Sequence, residues 1–358
     1  MTVRPTAAVL IFGLVLAAPG GVIAQSVAPD QAATLRALCL DTSGSETDVV
    51  IDSCSRWISS GTLTTDDLVQ AYHARGFAYE RSENFDNAVA DLSRRMDLLP
   101  PDAALLRERA KLQVFDAAIA DLKEAIRLAP DDPENYLARG LLFRSRAFTR
   151  DEGGAWDWNA DGAWVVKGVW DEAYVAAALN DFAETIRTAP ETGAAYRLAA
   201  EAYRWRGELF DAMGDREKAI PDYSRAMALG ESSRERRAQA YLRLGNFAQA
   251  KADLDVLLRL SPRSGLFQTW RGDAHAGLGE HALAIQDFDS ALGFIDRYEP
   301  IERYESQPQS SDMALSVQRT PGIDRIALLN SRARSHQALG QTAAAEADLE
   351  QVRLLTRP

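Results

Sequence analysis

The sequence predicts an all-α chain of stacked helix-turn-helix hairpins, and three observations carry that prediction. The pattern repeats with a period of 34 residues, small residues recur in pairs 12 positions apart with a large residue four further on, and prolines follow the expected helix ends. The chain has 358 residues, 46% apolar and 26% charged, enough for one large or two ordinary domains and too apolar for disorder throughout. Its net charge of −12 disfavours a phosphate-tracking nucleic-acid binder, which needs a cationic surface.

In chain order, residues 1–24 read as a secretory signal. Arg4 precedes the apolar run Ala7 to Ala18, a Pro-Gly-Gly break follows, and Val22 and Ala24 hold the small-residue positions of a cleavage site. Cleavage is expected after Ala24, with export of the remainder. The apolar run is shorter than the roughly 20 residues that span a bilayer, and no later run approaches that length.

Residues 25–64 form an expected helical cap. QAATLRALCL and SETDVVIDSCSRWISS read as two short helices joined by polar DTSGS, which sets Cys39 near Cys54. An oxidising compartment favours pairing of the two thiols, worth about 3 kcal/mol for so short a ring; two buried free thiols are the alternative. GTLTTDDL follows, with Thr64 and Asp67 suited to cap the next helix.

From 65 to 358 the hairpins repeat. Gly76 and Ala88, Gly207 and Ala219, and Gly272 and Ala284 are small pairs, and Leu92, Tyr223 and Phe288 are the large residues that would close each hairpin into its small-residue socket. Pro100, Pro130, Pro190 and Pro262 mark helix ends. The unit ending at Pro130 keeps Ala118, Leu122 and Ala125, but its first helix arrives four residues early, a deletion of about one turn. Two inserts break the frame. Gly140 meets its small partner only at Ala178, so 26 residues are inserted around 147–170. A polar segment with Pro300, Pro308 and Pro321 interrupts the array at about 298–324, a loop that covers the binding face or serves as a passive linker.

These residues resemble the tetratricopeptide repeat (TPR) family, with the best units at 69–102, 200–233, 231–264 and 265–298 and about seven units in all. The cysteine-bearing entry is further similar to exported bacterial members, which implies a periplasmic address. The resemblance implies a right-handed superhelical solenoid whose concave wall is lined by the first helix of each hairpin and holds a protein or peptide. Its groove positions fall here on His73, Phe77, Glu80, Leu137, Leu141, Arg144, Arg204, Glu208, Asp211, Glu235, Gln239, Asp273 and Arg334. The Lys and Asn by which some members clamp a C-terminal carboxylate are missing at the matching positions. Self-association stays open.

The insert near 147–170 holds four of the seven tryptophans, Trp156, Trp158, Trp164 and Trp170. Exposed, they would make a patch for a partner or glycan; turned inward, they would anchor the loop. DWNADG also sets Asp157, Asn159 and Asp161 at alternate positions, as a calcium loop presents hard oxygens, although Gly168 stands where an EF-hand carries its bidentate glutamate. A calcium-dependent or glycan-binding module centred on residues 151–172 is therefore the alternative reading, against a plain Asx-turn loop. No other cofactor is expected.

No catalytic constellation stands out. His73, His275, His281 and His336 lie in different units, and His275 and His336 occupy the packing position held elsewhere by Tyr79, Phe210 and Tyr241. There is no GxSxG, P-loop, CxxC or HExxH pattern. The sequence-level conclusion is a non-enzymatic, periplasmic interaction scaffold.

Overall fold

The computed structural model describes residues 29–41, 44–150, 156–158, 164–166, 168–189, 193, 196–298 and 325–357. The signal segment, most of the first insert's loops and the second insert lie outside them. The chain divides into two compact units at Asp121 and Leu122.

The first unit opens with α1 (Pro29–Leu40) and α2 (Thr47–Ser59), which pack on each other and on α3 (Thr65–Arg81). Cys39 and Cys54 are disulfide-bonded and fully buried, beside Leu35, Val50, Trp57, Ala71 and Ala74. Thr64 caps α3: its Oγ1 accepts from the Asp67 amide at 3.2 Å and donates to Asp67 Oδ2 at 2.9 Å. The hairpin closes on α4 (Phe85–Leu98), and α5 (Ala103–Ala110) follows with only 8 residues, the shortened first helix. Next, α6 (Phe115–Leu128) runs across the division between the units.

The second unit holds the hairpins α7 (Pro133–Arg146) with α8 (Glu172–Thr188), α9 (Tyr196–Ala212) with α10 (Arg216–Ala228), α11 (Arg234–Arg243) with α12 (Phe247–Leu260), α13 (Gly265–Gly277) with α14 (His281–Tyr298), and α15 (Arg325–Ala338) with α16 (Thr342–Leu355). Within it α7 touches α9, α11 touches α13 and α13 touches α15. Second helices of successive hairpins make no comparable contact among the described residues. Successive first helices therefore approach one another, the side that the repeat resemblance makes the inner one.

Four turns of the second unit repeat one geometry. The amides of Asp215, Asn246, Glu280 and Gln341 donate to the carbonyls of Phe210, Tyr241, His275 and His336 at 2.8–2.9 Å, each just after a glycine in the left-handed region, Gly214, Gly245, Gly279 and Gly340. In the α3–α4 turn Glu83 takes that conformation instead, with φ 58°.

Three glycine sockets are filled as the spacing predicts, whereas a Cβ at Gly76 would meet Asp91 at 3.4 Å and not the expected Leu92. A Cβ at Gly207 would stand 2.9 Å from the Tyr223 ring, at Gly140 3.0 Å from Phe182, and at Gly272 2.5 Å from Phe288. Where the small residue is alanine, as at Ala238, the large residue in the same core cluster is the smaller Leu254. Small and large residues thus compensate in volume in these hairpins of the second unit.

The first insert adds strands to an otherwise helical chain. β1 (Phe148–Arg150) pairs antiparallel with β4 (Gly168–Trp170), and β2 (Trp156–Trp158) with β3 (Trp164–Val166). Gly168 is required by close approach, since a Cβ there would lie 2.3 Å from the Thr149 carbonyl oxygen.

Candidate interaction face and the arginine ladder

Each hairpin from α3 onward carries an arginine just before its small residue and an aspartate just before its large one. Arg75 grips Asp91 with Nε and Nη2 at 2.7 and 2.6 Å, and the same bidentate contact joins Arg206 to Asp222, Arg237 to Asp253, Arg271 to Asp287 and Arg332 to Asp348, always 16 residues apart. Arg109 and Asp121 are 12 apart, which registers the missing turn; Arg139 and Asp181 are 42 apart, which registers the 26-residue insert. The aspartates are all buried, and these hydrogen bonds hold the guanidinium pKa values of Arg109, Arg139, Arg206 and Arg237 above the ordinary arginine value against the effect of burial.

The third donor reaches the preceding hairpin. Arg75 Nη1 donates to Ser55, Arg109 to Ser93, Arg237 to Ser224, Arg271 to Asp255 and Arg332 to Asp289, each acceptor two residues beyond the aspartate position of the previous second helix. At Lys123 and Ala183 that position offers no acceptor to Arg139 or Arg206. The same register identifies the cap: Ser55 marks Ser53 as the aspartate position and Cys54 as the plug, so the disulfide to Cys39 stands where later hairpins put a small residue against a large one.

The sequence-predicted groove residues divide into three environments. On α3, His73, Phe77 and Glu80 are exposed. Arg95 Nη1 lies 3.3 Å from His73 Nδ1 and 3.6 Å from Glu108. Burial first, then the Arg95 charge, holds the His73 pKa below the usual imidazole value, and Glu108 opposes them.

In the second unit the expectation needs correction at three positions. Leu137 is 6% exposed and packs in the core with Val175, Ala178 and Phe182, because α8 covers that side of α7. Glu208 and Asp211 are nearly buried and held by arginines from three other helices. Glu208 is shared by Arg204 at 3.1 Å, Arg144 at 3.3 Å and Arg236 at 3.8 Å, and Asp211 lies 3.4 Å from both Arg216 and Arg243. Leu141 is half-buried against the same core as Leu137.

Trp205, which the groove positions did not include, joins this network. The guanidinium carbons of Arg204 and Arg144 stand 3.9 and 4.1 Å from its ring centroid, and its indole N–H donates to Glu201 at 3.0 Å. Burial lowers the Arg144 pKa; Glu208 opposes it, and Arg204 and Arg236 add to it.

Further along, Glu235 and Arg334 are exposed and Gln239 is half-exposed. Asp273 has its pKa raised to about 6 by burial, against the Arg334 charge and a hydrogen bond from Ser331.

In the insert, Trp170 is half-buried and its ring centroid lies 4.9 Å from that of Phe148, so it turns inward rather than joining an exposed patch. The register sets Trp158 opposite Trp164 and Trp156 opposite Val166. The side chains of Trp156, Trp158, Trp164 and Asp157 are outside the described ones, and Asn159 and Asp161 lie wholly outside the described residues. Among the described residues no cluster of three His, Cys, Asp or Glu side chains could hold a metal ion, and no helix is long and apolar enough to cross a membrane.

His275 Nδ1 lies 2.5 Å from Glu280 and His336 Nδ1 2.6 Å from Gln341, so both rings fasten the turn that follows them.

Residues 235–300 match the tetratricopeptide repeat family model. No curated protein matches the chain. Among solved structures, it is similar to a TPR protein from Parabacteroides merdae, at 16% identity over 81% of this chain and 94% of that one, TM-score 0.43. It is also similar to YrrB, described as a TPR protein with an unusual peptide-binding site, at 14% identity over 57% and 91%, TM-score 0.43. A third, MamA from Desulfovibrio magneticus RS-1, shows 14% identity over 56% and 95%, TM-score 0.39. The family match over 235–300 thus falls on the α11–α12 and α13–α14 hairpins, and the same Arg–Asp geometry recurs from α3 to α16.

Proposed function

We propose that the chain is a non-enzymatic, exported scaffold of the periplasm that holds a protein or peptide partner along the first helices of its hairpins. The observation that carries this reading is the inner side of the second unit, where Arg144, Arg204, Trp205 and Arg236 stand half-exposed on a face already ordered by ion pairs. Such a face loses little conformational freedom on association. The signal-like segment 1–24 and a disulfide in the first hairpin support export. The histidines tied to their turns support a role without catalysis.

Site-specific photo-crosslinking in the exporting cell tests this. A photoreactive residue at Gln239, on the inner helix α11, is expected to give one discrete partner adduct, and one at Ala252, on the outer helix α12, to give none. Equal adducts from both positions, or none from Gln239, would reject the reading. Recovery of the chain in the cytoplasm with reduced thiols would reject the export half.

A further inference from the structure

The arginines of the inner face are short of carboxylates. Arg204 is well supplied, with Glu208 at 3.1 Å and Glu231 at 2.8 Å. Arg144 and Arg236 both depend on the same Glu208, at 3.3 and 3.8 Å, and no other acid among the described residues forms an ion pair with either. One carboxylate therefore serves three guanidinium groups. A guanidinium has five donors in a planar fork, so both arginines keep donors to spare. Their side chains are 34% and 53% exposed, which leaves those donors within reach of a partner.

Two further features tie the cluster to a ligand. Tyr223 is fully buried as the plug of the α9–α10 hairpin, and its hydroxyl has no hydrogen-bond partner in the protein. Burial first, then Asp211 and Glu208, raise the pKa of this hydroxyl, and Arg236 and Arg243 oppose them, so it feels the charges of the cluster. The Trp205 ring, against which Arg144 and Arg204 rest, holds the first of the under-paired arginines in place. Charges held in place by partly buried neighbours attract an incoming carboxylate more strongly than solvated ones.

We infer that the face formed by Arg144, Arg236 and Trp205 receives an acidic segment of the partner protein, an extended stretch whose Asp or Glu carboxylates pair with the two arginines. This rests on the inner-face reading above and adds the chemistry of the partner. The chain as a whole carries a net charge of −12 and repels such a segment, so its docking is confined to the exposed donors of Arg144 and Arg236. Pairing would relieve the crowding of like charges that helps hold the Arg144 pKa down.

The test uses the full-length exported protein and fluorescence anisotropy with three labelled probes: an octapeptide alternating Glu and Ala, its Lys and Ala counterpart, and an eight-nucleotide thymidine strand. The glutamate peptide is expected to bind, to weaken as salt rises, and to weaken at least tenfold in Arg236→Glu, compared at a temperature where circular dichroism shows both proteins folded. Arg144→Gln gives a second, milder loss. The lysine peptide is expected not to bind, and the oligonucleotide to bind less tightly than the glutamate peptide. No binding of the glutamate peptide, equal binding of the lysine peptide, tighter binding of the oligonucleotide, or an unchanged affinity in Arg236→Glu overturns the inference. In cells, the Gln239 adduct is expected to fall at least fivefold in Arg236→Glu; an unchanged adduct overturns acidic recognition and leaves the inner-face reading standing.

Discussion

Gly272 brings the backbone of α13 so close to Phe288 of α14 that a methyl group on it would stand 2.5 Å from the ring. The contact exists because glycine has no Cβ, and it sets the spacing of that hairpin. Gly272→Ala is expected to destabilise the protein by about 1–3 kcal/mol through overpacking. Adding Phe288→Leu converts the pair to the Ala and Leu combination of Ala238 and Leu254, and is expected to restore most of the loss. Urea unfolding of the single and double variants checks this; a double variant worse than Gly272→Ala would refute the volume-compensation argument.

The Arg206–Asp222 pair supplies a second prediction. Asp222→Ala leaves a half-buried guanidinium unpaired and is expected to cost about 3 kcal/mol. Replacing both partners, as Arg206→Met with Asp222→Leu, is expected to cost less than Asp222→Ala alone, because no charge is then left without a partner. Unfolding midpoints of Arg206→Met, Asp222→Leu and the double variant give the coupling. Additive losses would mean that the ladder contributes through packing and not through its charges.

Asp273 makes stability depend on pH with a definite sign. Its folded pKa, about 6, lies above that of the unfolded chain, near 3.8. Between those values the folded state keeps a proton that the unfolded state has lost, so this group lowers stability as pH rises from about 4 to 6, by up to about 3 kcal/mol. Asp273→Asn is expected to raise the melting temperature at pH 7.5 and to change it little at pH 4. An equal shift at both pH values would show that the effect is not ionisation.

The disulfide takes the plug position of the first hairpin, and its removal should act there. Replacing Cys39 and Cys54 together with serine is expected to cost about 3 kcal/mol, and limited trypsin digestion should then cut first at Arg36 and Arg56. Protection at these sites equal to that of the oxidised protein would show that α1 and α2 pack without it.

Much of the fold was legible because socket residues must be small and plugs large whatever surrounds them. The spacing of Gly207, Ala219 and Tyr223 therefore survives in the sequence. The ladder is equally regular, an arginine before each small residue and an aspartate before each plug, but charge by itself points a side chain to solvent, and nothing within one helix shows that the two meet 16 residues apart. The strands of the first insert are three residues each, too short for alternation to show. The inner face was legible in position and not in environment. Glu208 and Arg144 are 64 residues apart, and Asp211 and Arg243 are 32 apart, so no local pattern reveals that these acids are already paired. Leu137 sits at an inner position by register, yet Val175 and Phe182 of α8 take it into the core.

The most direct measurement is amide hydrogen exchange of the full chain with and without its crosslink-identified partner. Binding on the inner side predicts added protection in α9 and α11, with α10 and α12 unchanged. Protection concentrated in α10 and α12, with α9 and α11 exchanging as in the free protein, would contradict it.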